Sequence, residues 1–211
     1  MIDFFDFFFG QFKDYTTEFL ILELTAIFFG LLSVIYSAKN SILVYPTGLI
    51  STFIFVYILY TADLYGDLII NAYYFYMSIY GWYLWSRKDQ QHHDLLKITA
   101  VSAKDNYKCL GIFIVSVIFV SVVYHFFHMF NQWWAYVDTF ITGLFFIGMW
   151  LLAKRKVENW LYLIAGDIIA IPLFFYKGLI FTGFFYIILT TIAIFGYRSW
   201  KRTLQDEIQT P

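Results

Sequence analysis

Apolar runs of about twenty residues, separated by short polar breaks, occupy almost the whole chain. They predict seven membrane-spanning helices at about 19–38, 42–61, 66–86, 109–130, 133–153, 157–176 and 179–199, since roughly 20 apolar residues cross one bilayer. The alternating ten-residue segments of a membrane barrel are not the pattern here, so the expected class is all-α and polytopic. The third run, Asp67 to Trp85, is the most polar of the seven. At 100° per residue Asp67, Asn71, Tyr74, Ser78, Trp82 and Trp85 fall on one stripe, while Leu68, Ile69, Ala72, Tyr76, Ile79 and Tyr83 fill the rest. A carboxylate and a carboxamide facing lipid tails would be costly, so that stripe is expected to face protein or a water-filled route through the membrane.

Composition agrees: 61% of the residues are hydrophobic, 24% aromatic and 14% charged, with a mean hydropathy of +0.66. A soluble domain would lack the polar surface to remain solvated at those values. Residues 1–18 have no basic start and no small-residue cleavage site, and read as an amphipathic segment at the outer interface rather than a removable signal. Cys109 is the lone cysteine, so no internal disulfide is possible. The net charge of −1 argues against nucleic acid as a partner.

Where the charges fall is more informative. With seven spans, Lys39, Arg87, Lys88, Lys97, Lys104, Lys108, Lys154, Arg155, Lys156, Arg198, Lys201 and Arg202 share one side; these are 12 of the 14 basic residues, and only Lys13 and Lys177 lie opposite. The excess of Lys and Arg marks the cytoplasmic side, which puts the amino terminus outside and the carboxyl terminus inside. The expected divisions are a first three-helix repeat over 19–86, a cytoplasmic loop over 87–107, a linker helix over 108–131, a second repeat over 132–200 and a cytoplasmic tail over 201–211.

An internal repeat supports that division. Gly81-Trp-Tyr-Leu-Trp85 closes the third span and Gly196-Tyr-Arg-Ser-Trp200 closes the seventh, each followed by basic residues. At this offset of 115, Asp67, Asn71, Ser78, Trp82 and Trp85 fall opposite Thr182, Tyr186, Ala193, Tyr197 and Trp200. Two three-helix units run parallel only if a further helix lies between them, and the fourth span supplies it. The expected arrangement is 3+1+3, with a site at the interface of the two repeats.

Several polar residues are candidates for that site. Glu23, Asp67, Asn71, Asp138 and Asp167 are acidic or amide side chains within apolar spans, where such groups are functional or held in a polar network. Asp67 and Asp138 lie near span ends, where interfacial water is the plainer explanation. Asp167 lies near mid-span. Trp160 shares its helical face, and an indole with a carboxylate suits an organic cation; a tryptophan near a boundary can equally be a belt residue. Ala26, Gly30, Ser33 and Ser37 share a face with Glu23 and read as a close-packing stripe. Tyr45, Thr47, Ser51 and Thr52 surround Pro46 and Gly48, which are expected to interrupt the second helix beside the substrate. His92, His93, His125 and His128 complete no metal site and are read as solvated or interfacial. No nucleophile–base pair, nucleotide loop or metalloprotease motif is present, so the chain is expected to be neither an enzyme nor an ATP-driven pump.

These residues resemble a known family. Tyr45-Pro-Thr-Gly48, Leu64-Tyr-Gly-Asp67 through Asn71, Ser78 to Trp85, Glu158-Asn-Trp160 and Ile171 to Gly178 are similar to the PnuC family of vitamin transporters, over about 19–200. The resemblance implies a seven-helix 3+1+3 fold in a bacterial inner membrane, usually a homotrimer. It implies uptake of nicotinamide riboside by facilitated diffusion with alternating access, without a cofactor, the product being trapped by a cytoplasmic kinase. From the residues themselves Asn71, Tyr74, Ser78, Trp160 and Asp167 are the candidate substrate-binding residues, with Glu23, Asp67, Asp138 and Thr47 as further candidates. Riboside members carry a second Trp where this chain has Leu163, an Asn where it has Asp167 and a Gln where it has Asn71. Thiamine, carried by relatives, is therefore the alternative substrate, and a receptor or channel is the alternative class.

Overall fold

The computed structural model describes residues 16–61, 64–88, 95–128, 130 and 132–209. Most of the expected outer segment, residues 1–15, and His92 with His93 lie outside them. The described residues form seven helices: α1 (Thr17–Ala38), α2 (Val44–Thr61), α3 (Tyr65–Trp85), α4 (Ala103–Phe126), α5 (Trp134–Ala153), α6 (Asn159–Tyr176) and α7 (Ile180–Gln209). All but α3 are long and apolar enough to be identified as spans on hydropathy alone. The 21 residues of α3 extend about 31 Å at 1.5 Å per residue, also enough to cross. Its polar stripe is what lowers its hydropathy.

Local chemistry sets the ends. Ser102 starts α4 with a capping box: its hydroxyl accepts from the Asp105 amide at 3.3 Å, and the Asp105 carboxylate accepts from the Ser102 amide at 3.0 Å. The helix thus begins six residues before the apolar run that predicted it. α7 runs ten residues past its apolar run, because Lys201 to Gln209 contain no breaker. The expected interruption at Pro46–Gly48 is absent. α2 starts at Val44, so Pro46 sits in its first turn, where its missing N–H has no helical partner to lose.

α1 packs on α2 and α2 on α3, α5 on α6 and α6 on α7, with α4 against α3 and α5. Small side chains permit the close approach of α1 and α2. Ser51 Oγ donates to the Ala26 carbonyl at 2.8 Å, and Ser33 Oγ to the Val44 carbonyl at 2.7 Å. Between the repeats, α1 meets α7 and α3 meets α5, so the first helix of each repeat touches the third helix of the other.

The two repeats agree in detail at the offset of 115. Asn40 and Arg155 end α1 and α5 in the left-handed region, with φ of 52° and 51°. The backbone bonds around them match, Asn40 N to Ser37 O and Ser41 N to Tyr36 O against Arg155 N to Leu152 O and Lys156 N to Leu151 O, all four at 2.9 Å. Tyr45 lies over Gly81 and Trp160 lies over Gly196, where an added Cβ would come within 2.3 and 2.6 Å of the respective rings. Tyr45 packs edge-on against Trp85 at 5.1 Å and Trp160 against Trp200 at 5.7 Å, both at 90°. Trp85 and Trp200 meet each other at 5.9 Å. Trp85 Nε1 donates to Ala153 O at 3.2 Å, and Trp200 Nε1 to Ser37 O at 3.0 Å. Each repeat's closing tryptophan therefore holds the end of the other repeat's first helix.

Candidate functional site

A cavity of about 300 Å³ lies between the repeats. All six repeat helices line it, and α4 contributes nothing. Seven pairs of its lining residues are related by the 115-residue offset: Gly30 and Phe145, Val34 and Met149, Gly48 and Leu163, Thr52 and Asp167, Asn71 and Tyr186, Tyr74 and Leu189, Ser78 and Ala193. The walls are thus symmetric in backbone and asymmetric in side chain. Glycine faces phenylalanine and leucine, and a threonine faces a carboxylate. The first repeat supplies room, and the second supplies bulk and charge.

Asp167 is 5% exposed, and its Oδ2 accepts from Thr190 Oγ1 at 3.4 Å. Thr190 also donates to Tyr186 O at 2.7 Å, so its single proton is shared between two acceptors. Among the described residues lining this cavity there is no Lys, Arg or His. A carboxylate so placed is costly unless a positive group joins it. Trp160 is 1% exposed and lines the cavity rather than a membrane belt, and its buried Nε1 has no hydrogen-bond partner among the described residues. Aromatic walls come from Phe55, Tyr74, Phe145, Phe185 and Tyr186.

A second cavity, of about 420 Å³, lies at the end of the bundle opposite the cluster of twelve basic residues. Asp67, Tyr124, Asp138 and Lys177 line it, and it shares Asn71, Tyr74, Phe145 and Tyr186 with the first. Those four residues are the partition between the two cavities. Lys177 Nζ pairs with Asp138 Oδ2 at 2.5 Å, joining the start of α5 to the α6–α7 turn.

The predicted residues therefore divide into three groups. Asn71, Tyr74, Ser78, Trp160 and Asp167 come together around the central cavity. Asp67 and Asp138 come together in the second cavity, with Lys177 beside them. Glu23 and Thr47 line neither. The Thr47 hydroxyl turns back on its own helix, to Leu43 O at 2.6 Å and Val44 O at 3.2 Å. Trp82 also leaves the expected stripe and is 42% exposed, because the buried line runs from Ser78 through Gly81 to Trp85. The structure adds Phe145, Met149, Tyr186 and Leu189 to the cavity wall and Thr190 as the partner of Asp167. Tyr186 was within reach of the sequence, since it stands opposite Asn71 in the repeat.

The sequence model of a family described as nicotinamide mononucleotide transporter matches residues 20–202. The nicotinamide riboside transporter PnuC of Escherichia coli (strain K12) is 27% identical over 199 residues, covering 84% of this chain and 83% of that protein. The riboflavin/roseoflavin transporter RibM of Streptomyces davaonensis is 23% identical over 172 residues, covering 81% and 80%. The crystal structure of the vitamin B3 transporter PnuC superposes with a TM-score of 0.66 at 22% identity, over 88% of this chain and 83% of that one, a likeness of fold.

Proposed function

The chain belongs to the nicotinamide mononucleotide transporter family, and from that premise we propose that it carries nicotinamide riboside, a flat organic cation, through the cavity between its repeats. A transporter family leaves the receptor or channel reading without support, and the chain is not an enzyme. One observation carries the choice of a cationic substrate: Asp167 is a buried carboxylate in a cavity whose described lining holds no cation. A pyridinium ring supplies that charge and stacks on the aromatic walls. The flavin of the RibM relative is larger and uncharged at neutral pH, and would leave Asp167 without a counter-charge.

The path runs from the second cavity, taken as the outer vestibule, past Asn71, Tyr74, Phe145 and Tyr186 into the central cavity. This reading keeps the basic end cytoplasmic in a bacterial inner membrane, with the amino terminus outside. Transport is facilitated diffusion by alternating access, and a cytoplasmic kinase keeps the product inside. A homotrimer with one path in each subunit is the expected assembly.

The test is uptake of labelled nicotinamide riboside and of thiamine into vesicles holding the purified protein, with Asp167→Asn in parallel. Nicotinamide riboside enters without an ion gradient. Its half-saturating concentration rises about 10- to 100-fold in the variant, as expected for losing a charged contact of about 1.5–3 kcal/mol. Uptake of thiamine alone would reassign the substrate, and uptake that requires a proton or Na⁺ gradient would reject facilitated diffusion. Indifference to both compounds would reject the reading.

A further inference from the structure

The basic end of the bundle is closed by a device that the repeats do not explain. The segment 95–101, which leads into α4, runs under both repeats and is bonded to the turn between α5 and α6. Thr99 N donates to Arg155 O and Val157 N to Thr99 O, both at 3.0 Å, which pairs Thr99 with Lys156 in a single parallel bridge. Val101 N donates to Glu158 Oε2 at 2.9 Å, and Lys156 Nζ donates to Ala100 O at 3.1 Å. The Arg155 guanidinium donates to Leu96 O and lies 4.1 Å from the Trp85 ring centre. Ile98 is 2% exposed and belongs to the same packed cluster as Tyr45, Trp85, Trp160 and Trp200. That cluster includes Trp160 and Ala193 and packs against Val34, Met149 and Leu163, all of which line the central cavity.

The segment follows α3 in the first repeat, where Leu95 N bonds to Arg87 O at 3.1 Å, yet its other backbone bonds go to the second. A separation of the repeats at this end must therefore either break those bonds or move the strap away from α3. The turn it grips is also the less natural of the two symmetric turns. Asn40 is at home at positive φ, whereas Arg155 is not, and a non-glycine residue there costs about 1–3 kcal/mol unless its surroundings hold it. Here the strap and the Trp85 ring hold it.

We propose that residues 95–101 are the inner gate of the transport path: an intramolecular strap that must come off the Arg155–Glu158 turn before the central cavity opens to the side read above as cytoplasmic. The proposal rests on that reading for its direction, not for its substrate.

The test is a reversible cross-link. Adjacent strands lie about 4.8 Å apart, so the Cα atoms of a bridge pair fall in the range that a disulfide spans. Thr99→Cys with Lys156→Cys, in a Cys109→Ala background, is compared oxidised and reduced in the same preparation, so a folding defect would show in both forms. Oxidation is expected to lower uptake at least tenfold while binding of nicotinamide riboside changes less than twofold, and reduction restores uptake. A second readout needs no substrate. With Ala193→Cys added on the cavity wall, a membrane-impermeant maleimide applied from the basic side should label the reduced protein at least tenfold faster than the oxidised one. Equal uptake and equal labelling in the two forms would overturn the proposal, and so would loss of binding together with uptake. A labelling difference without nicotinamide riboside transport would leave the gate standing and reject the substrate.

Discussion

At the scale of single residues, hydroxyl groups of one type have different employment. Thr190 donates to both Asp167 and Tyr186 O, whereas Thr47 donates to Leu43 and Val44 of its own helix. Thr190→Val removes the one hydroxyl bonded to the buried carboxylate but leaves the carboxylate to meet the cation. The expected result is a three- to tenfold higher half-saturating concentration, in line with about 0.5–1.5 kcal/mol for a net hydrogen bond. Thr47→Val should leave uptake within twofold. Concentration dependence of vesicle uptake measures both, and equal effects would mean that the cavity is not the site. The sequence marked Thr47 and Thr190 unequally in the wrong sense. A threonine beside Pro46 and Gly48 draws attention, while Thr190 lies in an unbroken apolar run, and only the approach of α6 and α7 gives it a partner.

At the scale of elements, the glycines that close the third helix of each repeat are fixed by what lies on them. A Cβ at Gly196 would meet Trp160 at 2.6 to 2.8 Å, and Trp160 is itself held edge-on by Trp200. Gly196→Ala must therefore move an indole that lines the cavity, at about 1–3 kcal/mol for overpacking. The expected outcome is a melting temperature in detergent several degrees lower, together with reduced uptake. Gly111→Ala on α4 is the control: nothing lies within 4 Å of its added Cβ, and the melting temperature should hold or rise slightly. Thermal unfolding of the purified variants decides, and an unaffected Gly196→Ala would show that Trp160 is not held as described. The sequence carried most of this level. Gly81 and Gly196 stood in register with Trp85 and Trp200, and from that register followed both repeats and the need for a helix between them. It could not show the strap, because the alternation over Leu96 to Ala100 is too short to mark an element and its partners in the second repeat lie more than fifty residues away. It did place the start of α2 to within two residues, but read Pro46 as a break where it is a first-turn proline.

At the scale of the whole molecule, the two cavities differ in charge, in keeping with the path proposed above. The central one holds a carboxylate and, among its described lining, no cation; the second holds Asp67, Asp138 and Lys177. Lys177 acts there in two ways. It reduces the attraction of the vestibule for a cation, and its bond to Asp138 at 2.5 Å ties the start of α5 to the α6–α7 turn, which favours closure at that end. Lys177→Gln removes both effects, and they push in one direction. With two carboxylates against one ammonium the vestibule is already negative and becomes more so, which speeds the approach of a cation most strongly at low ionic strength, and the outer end opens more readily, which raises the share of protein able to bind from outside. The expected outcome is a half-saturating concentration for nicotinamide riboside that falls several-fold in low salt, with most of the gain from attraction lost on raising ionic strength to about 1 M, where screening acts within about 3 Å. Any gain that persists at high salt measures the loosened tie. Uptake measured across a salt series separates the two contributions, and a variant with unchanged affinity at every salt concentration would remove the second cavity from the path.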